Sequence, residues 1–202
     1  MKLCLFQGTF NPIHNAHIQV CDFAKNSFAF DKILVIPAAR PPHKDFDEGY
    51  SLHRLEMAKL AVKGREYLEV SDIEFQREGL SYTYLTIKEL YLKYKIDGKI
   101  SFIIGTDAFK NIETWYESDK LKELLNFILF VREDDDSLKA DEKCLQRLRE
   151  KGYNYTVMKM PFVDISSTEI RHNVSNSLPI KKLVPKEVGK YIEKYGLYKD
   201  KN

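Results

Sequence analysis

The sequence predicts an α/β chain built on a doubly wound parallel sheet, and three observations carry that expectation. Short apolar runs alternate along the chain with segments whose apolar residues recur at helical spacing. The runs are apolar at consecutive positions, as strands buried on both faces are, and several of them close on Gly or Pro, as at Gly8, Pro37 and Gly105. The 202 residues suit one domain, because a single hydrophobic core stops growing only beyond about 250 residues. No internal repeat or low-complexity linker marks a boundary.

Lys2 to Gln7 forms the first strand and ends at Gly8, with Pro12 soon after. Ile18, Val20, Cys21, Ala24 and Phe28 then mark a helix from about Ala16 to Phe30, followed by a second buried strand at Ile33 to Ile36. That β-α-β unit implies a right-handed crossover. Ala38 to Tyr50, with Pro41, Pro42 and several charges, reads as a long loop, and such loops in compact domains are often functional. Leu52, Leu55, Met57, Ala58, Leu60 and Ala61 give a helix, Tyr67 to Ile73 a strand, and Tyr82 to Tyr94 a helix. Ile100 to Ile104 is a strong strand ending at Gly105. Short helices around Ala108 and Leu121, a strand at Phe127 to Val131 and an acidic loop at Glu133 to Asp136 continue the chain. A helix near Cys144 and a strand near Tyr155 to Met158 precede a small C-terminal helical segment, near Thr168 and Glu187. In such sheets ligands sit at the carboxyl ends of the strands, so motifs are to be sought just after them.

Composition narrows the classes of function. A 44% apolar content with 12 Phe and 12 Tyr supplies a sizeable core and excludes a disordered polymer. The 32 basic and 30 acidic side chains leave a net charge of +2, too small for a general polyanion field. Phosphate chemistry therefore needs a local site, and with no basic stripe a nucleic-acid partner is not expected. Cys4, Cys21 and Cys144 neither pair off nor form a CxxC motif, which suits reduced thiols in a cytoplasmic protein. The opening MKLCLFQGTFNP meets Gly and Pro before a signal-like apolar core builds. No window approaches the roughly 20 apolar residues of a membrane helix. The oligomeric state stays open, a homo-oligomer being compatible.

Two segments could carry chemistry. Gly8 to His17 follows the first strand directly: Gly8 permits close backbone approach, the following helix offers N–H groups to an anion, and His14 and His17 stand three apart. The same residues could be a plain turn, two surface histidines or, with Cys21, zinc ligands lacking an evident fourth partner. Asp164 to Arg171 opens a late helix, and Ser166, Ser167 or Thr168 could simply cap it. Arg171, within a turn of those hydroxyls, could instead clamp a phosphate.

Gly8-Thr9-Phe10-Asn11-Pro12-Ile13-His14-Asn15-Ala16-His17 resembles the (G/T)xFxPxHxGH signature of the HxGH nucleotidyltransferase superfamily, and Ile165 to Arg171 resembles its ISSTxIR signature. Further segments are similar to those of the bacterial nicotinate-nucleotide adenylyltransferases: Pro41-Pro42-His43-Lys44, Gly79-Leu80-Ser81-Tyr82-Thr83, Phe102 to Asp107, Trp115-Tyr116, and Leu183-Val184-Pro185 with Tyr191-Ile192 and Gly196-Leu197-Tyr198. The resemblance spans essentially the whole chain and implies a Rossmann-like fold. Two positions depart from it: Asn11 stands where that family often has Asp, and Ala16 replaces the glycine of HxGH.

The resemblance implies transfer of the adenylyl group of ATP to nicotinate mononucleotide in NAD biosynthesis, with pyrophosphate released. It assigns His14, His17 and Arg171 to catalysis through contacts with the ATP phosphates, and Gly8, Thr9, Phe10, Ser167 and Thr168 also to ATP, with Gly105 and Asp107 at the adenosine. Trp115 would stack on the pyridine ring, Thr83 and the backbone at Tyr116 would meet the nicotinate, and Asn11, His43 and Lys44 would serve the mononucleotide. Mg²⁺ would be bound mainly through the ATP phosphates, with no protein metal site. On spacing alone Asp107 could be a helix cap, Trp115 a core anchor, and His43 and Lys44 solvated loop charges. Sister enzymes acting on phosphopantetheine or glycerol phosphate share the two phosphate motifs but are not expected to carry the SYT and WY segments together.

Overall fold

Successive strand residues face opposite ways, so a strand apolar at every position must be covered on both sides. The computed structural model describes residues 1–42, 48–132, 137–161 and 164–199. Among them, Leu3–Gly8 (β1), Lys32–Pro37 (β2), Leu68–Val70 (β3), Ile100–Gly105 (β4), Leu125–Arg132 (β5) and Tyr155–Met160 (β6) form one sheet. Its order is β3-β2-β1-β4-β5-β6 and every pairing is parallel. In β1, Leu3 and Leu5 belong to one apolar cluster while Cys4 and Phe6 belong to another, which are the two faces of the sheet.

Helices Asn15–Phe28 (α1) and Glu48–Val62 (α2) cover the Cys4 face, and Thr83–Lys93 (α3), Thr106–Lys110 (α4), Ser118–Leu124 (α5) and Ser137–Glu150 (α6) the Leu3 face. Each buried Leu, Ile or Phe contributes about 1.5–3 kcal/mol, so the double cover is the main source of stability. After β6, Ser167–Ser175 (α7) and Lys186–Tyr195 (α8) return to the Cys4 face, burying Ile170, Val188 and Ile192 there. Asn15 ties this segment to the start of α1, its backbone donating to Leu183 O and its side chain to Lys182 O.

The fold is the doubly wound α/β class, with the C-terminal helices appended. One strand is shorter than its composition suggests: β3 keeps only Leu68–Val70 of the expected Tyr67 to Ile73. It lies at the sheet edge and pairs with β2 alone, and beyond it the chain turns into a 3₁₀ segment at Ile73–Gln76. The acidic loop expected at Glu133 to Asp136 lies outside the described residues. No helix among the described residues is long and apolar enough to cross a membrane. The strand order reverses between β1 and β4, and the loops leaving these two strands part to open a crevice at their carboxyl ends.

Candidate active site

A cleft of about 580 Å³ occupies that crevice, within the usual range for small-molecule sites of roughly 300–1,000 Å³. Gly8, Thr9, Phe10 and Asn11 line it from the loop after β1, Gly105 from the end of β4, and Ser167, Thr168 and Arg171 from α7. Thr83, Trp115 and Tyr116 complete the far wall. Among the described lining residues there is no carboxylate.

The loop after β1 is shaped by one aromatic ring. Phe10 holds a left-handed backbone, φ 49°, which costs a residue with a side chain about 1–2 kcal/mol. Burial of its ring offsets that, and the ring lies over the Gly8 Cα: a Cβ there would stand 3.0 Å from two ring carbons. Arg54 braces the loop from beneath. Its buried guanidinium donates to the carbonyls of Thr9 at 2.7 Å, Ala38 at 2.6 Å and Ala39 at 3.2 Å, joining the loop after β1 to the end of β2.

His14 caps α1 and His17 sits one turn in, their rings stacked with centroids 3.5 Å apart. The His14 backbone N–H donates to His17 Nδ1 at 3.2 Å, which puts the His17 proton on Nε2. Phe10 packs edge-on to His17 at 4.9 Å. His17 lines the cleft, whereas His14 lies behind it with Nδ1 buried and unpartnered among the described residues. Burial pulls His14 down to about 4, and burial and then the neighbouring ring hold His17 well below its ordinary range. Both rings are therefore neutral donors at pH 7 until an anion approaches and raises their basicity. Cys21 is fully buried in the core, so with His17 Nδ1 engaged the zinc alternative loses its geometry.

The buried His14 ring makes the fold sensitive to acid. Above about pH 6.5 His14 is neutral in folded and unfolded chains alike. As pH falls toward 4 the unfolded chain takes up a proton that the native ring resists. Stability then drops by up to about 1.4 kcal/mol per pH unit from this group and levels off below that window. Acid unfolding of His14→Gln should show a shallower limb than the wild type, and an equally steep one contradicts the assignment.

In the late helix the hydroxyls divide their work, and one alone fills the capping role. Ser166 is the cap, accepting from Glu169 N at 3.1 Å. Ser167 donates across 155 residues to Pro12 O at 2.9 Å, and Arg171 Nη1 donates to Asn11 O at 2.8 Å. The two motifs are thus clasped together around the cleft. Ser167 has its hydrogen engaged and Arg171 one arm, while Arg171 Nη2 stands 3.4 Å from Thr168 Oγ1.

At the far wall, buried Glu74 accepts from Gln7 Nε2, which turns Gln7 Oε1 toward Thr83, and the Thr83 hydroxyl donates to it at 2.9 Å. The donor Thr83 has left for a ligand is its backbone N–H in the first turn of α3. Trp115 is half-buried, edge-on to core Phe102 at 6.2 Å, and so both anchors the wall and faces the cleft. Gly105 leaves room, since a Cβ would meet only the Phe130 ring at 3.5 Å. Asp107 is not brought into the lining: its side chain is 97% exposed and paired with Lys110 at 2.9 Å. His43 and Lys44 lie outside the described residues. Ala16 packs into the core behind the loop. Arg54, Gln7 and Glu74 belong to no motif in the sequence. Arg54 alone left a signal there, being a charge in register with the buried stripe Met57, Ala58 and Ala61.

The cytidylyltransferase-like family matches residues 5–173. A curated relative from Fusobacterium nucleatum, described as a probable nicotinate-nucleotide adenylyltransferase, is 38% identical over 194 residues, covering 96% of this chain and 98% of its own. One of the same description from Thermoanaerobacter is 39% identical, covering 98% and 95%. Among solved structures, the Plasmodium falciparum nicotinic acid mononucleotide adenylyltransferase complexed with NaAD superposes with a TM-score of 0.75 at 28% identity, covering 98% of this chain and 97% of that one. The same enzyme complexed with APC gives 0.72 at 28% identity, covering 98% and 96%. With the two signature motifs clasped across a cleft at the sheet's switch point and relatives matched over nearly their full length, this chain belongs to the nicotinate-nucleotide adenylyltransferase family of cytidylyltransferase-like proteins.

Proposed function

We propose that the chain transfers the adenylyl group of ATP to nicotinate mononucleotide, giving nicotinate adenine dinucleotide and pyrophosphate in the cytoplasm. The observation that carries this is the clasp between the loop after β1 and α7, which gathers His17, Thr168 and Arg171 on one cleft. An oxygen of the mononucleotide phosphate attacks the α-phosphorus of ATP in line, and the bond to the bridging oxygen of pyrophosphate breaks. Both reactants are anions, so the protein's task is alignment and charge neutralisation rather than covalent chemistry. His17 Nε2–H, the first-turn N–H groups of α7 and the free edge of Arg171 receive the ATP phosphates. His14 orders His17 from behind, Gly105 admits the adenosine, and Asp107 meets the ribose from the rim.

Magnesium, carried in by ATP, would supply further neutralisation of the phosphate charge. A cleft wall without carboxylates among the described residues suits an ion whose ligands come from phosphate oxygens and water.

Trp115 supplies stacking that an acid and an amide ring share equally. Selection comes from the edge, where the backbone N–H groups of Thr83 and Tyr116 suit a carboxylate, which only accepts. A carboxamide would turn its NH₂ toward one of them and leave a donor unpaired. Nicotinate mononucleotide is therefore expected to be preferred over nicotinamide mononucleotide by at least about tenfold, or roughly 1.4 kcal/mol. Trp115→Ala should lower kcat/KM for both substrates by similar factors and keep their ratio. Steady-state kinetics on wild type and variant check this: equal wild-type efficiencies, or a ratio that collapses without the ring, refute the division of labour.

A further inference from the structure

The backbone carbonyl of Asn11 is held by Arg171, but its side chain is held by the other end of the chain. The Tyr198 hydroxyl stands 2.7 Å from Asn11 Oδ1, 187 residues away in sequence. Tyr198 lies just past α8 in a left-handed conformation, φ 62°, which a residue with a side chain seldom adopts without being held there. What holds it is Tyr50: the rings stack at 5.3 Å and 19°, and Tyr198 N–H donates to the Tyr50 hydroxyl at 3.3 Å.

The orientation of the Asn11 amide follows from counting donors. The cationic groups acting on the Tyr198 hydroxyl are Arg54 and Arg171, and guanidiniums only donate. Burial keeps the phenol protonated far above neutrality, so its hydrogen needs an acceptor, and among the described residues it donates to Asn11 Oδ1. A reversed amide would aim an N–H at the phenol oxygen and take away the acceptor that the phenol hydrogen now has. Oδ1 therefore points to Tyr198 and the NH₂ is left for the cleft that Asn11 lines.

We propose that Tyr198 is a positioning residue: it fixes the Asn11 amide so that the NH₂ donates to a substrate phosphate in the cleft. This rests on the reading of the cleft as the adenylyl-transfer site. Where the family often has Asp, a carboxylate would take the same phenol hydrogen but turn a second acceptor toward the phosphates. With Asn11 this chain offers donors there instead.

The test is a double-mutant cycle of Tyr198→Phe and Asn11→Ala, with KM measured separately for ATP and for nicotinate mononucleotide. Tyr198→Phe should raise the KM of one phosphate substrate by about three- to tenfold, the range of one lost hydrogen bond, with kcat within about twofold. In the Asn11→Ala background the same substitution should change neither KM further. The substrate that responds identifies the phosphate. An unchanged KM in Tyr198→Phe, a lowered Tm with both KM values intact, or an undiminished effect without Asn11 overturns the proposal. A wild type that releases no pyrophosphate sinks the adenylyl-transfer reading instead, and the same cycle is then read by calorimetric binding of ATP and of the mononucleotide.

Discussion

His17→Ala is expected to lower turnover by about 10²–10³-fold with the fold intact, the usual effect of removing a preorganised donor from developing charge. The geometry makes His17 such a donor. Its Nδ1 is occupied by the His14 N–H, so the tautomer is set before substrate arrives and Nε2–H is the group left to serve the cleft it lines. Phe6 and Phe10 crowd the ring at 5.8 and 4.9 Å, and their apolar faces lower the local dielectric, which strengthens any hydrogen bond to phosphate. The substitution also frees the His14 N–H, a loss of only about 1 kcal/mol. Circular dichroism and a thermal melt establish that the variant folds, and single-turnover rates read the chemistry. A folded variant with the wild-type rate removes His17 from the mechanism.

Arg54→Met is expected to destabilise the chain by roughly 2–4 kcal/mol, because carbonyls that one guanidinium satisfies lose their donor at once. Met fills similar apolar space, so little of that loss is a packing defect. Burial already pulls the Arg54 pKa down, and the carbonyls of Thr9, Ala38 and Ala39 compensate its desolvation. Releasing the Thr9 carbonyl should also loosen the loop that presents His17. Urea unfolding reads the first effect as a lower midpoint with an unchanged m value. A change below about 0.5 kcal/mol, the scatter of neutral surface substitutions, would show that Arg54 does not brace the loop.

The sheet was legible because parallel strands are buried on both faces and announce themselves as unbroken apolar runs. Edge position is not written in a run, and so Tyr67 to Ile73 promised more strand than β3 contains. The two signature motifs were legible as residue types after a strand and before a helix. Which hydroxyl of Ser166, Ser167 and Thr168 would cap was not, since the choice depends on Pro12, 155 residues from Ser167. Asp107 follows β4 directly in sequence, but its carboxylate pairs with Lys110 one turn on and stands exposed, outside the cleft lining. Tyr198 was hidden for the plainest reason: a phenol's acceptor at a separation of 187 residues leaves no local pattern.

This cleft is expected to join ATP to a nicotinate nucleotide. Pyrophosphate release tests it most directly, with ATP and magnesium offered in parallel to nicotinate mononucleotide, nicotinamide mononucleotide, phosphopantetheine and glycerol 3-phosphate. Release should be fastest with nicotinate mononucleotide, at least about tenfold slower with its amide, and at background with the other two. No release with nicotinate mononucleotide, or a faster one with phosphopantetheine or glycerol 3-phosphate, would contradict the account.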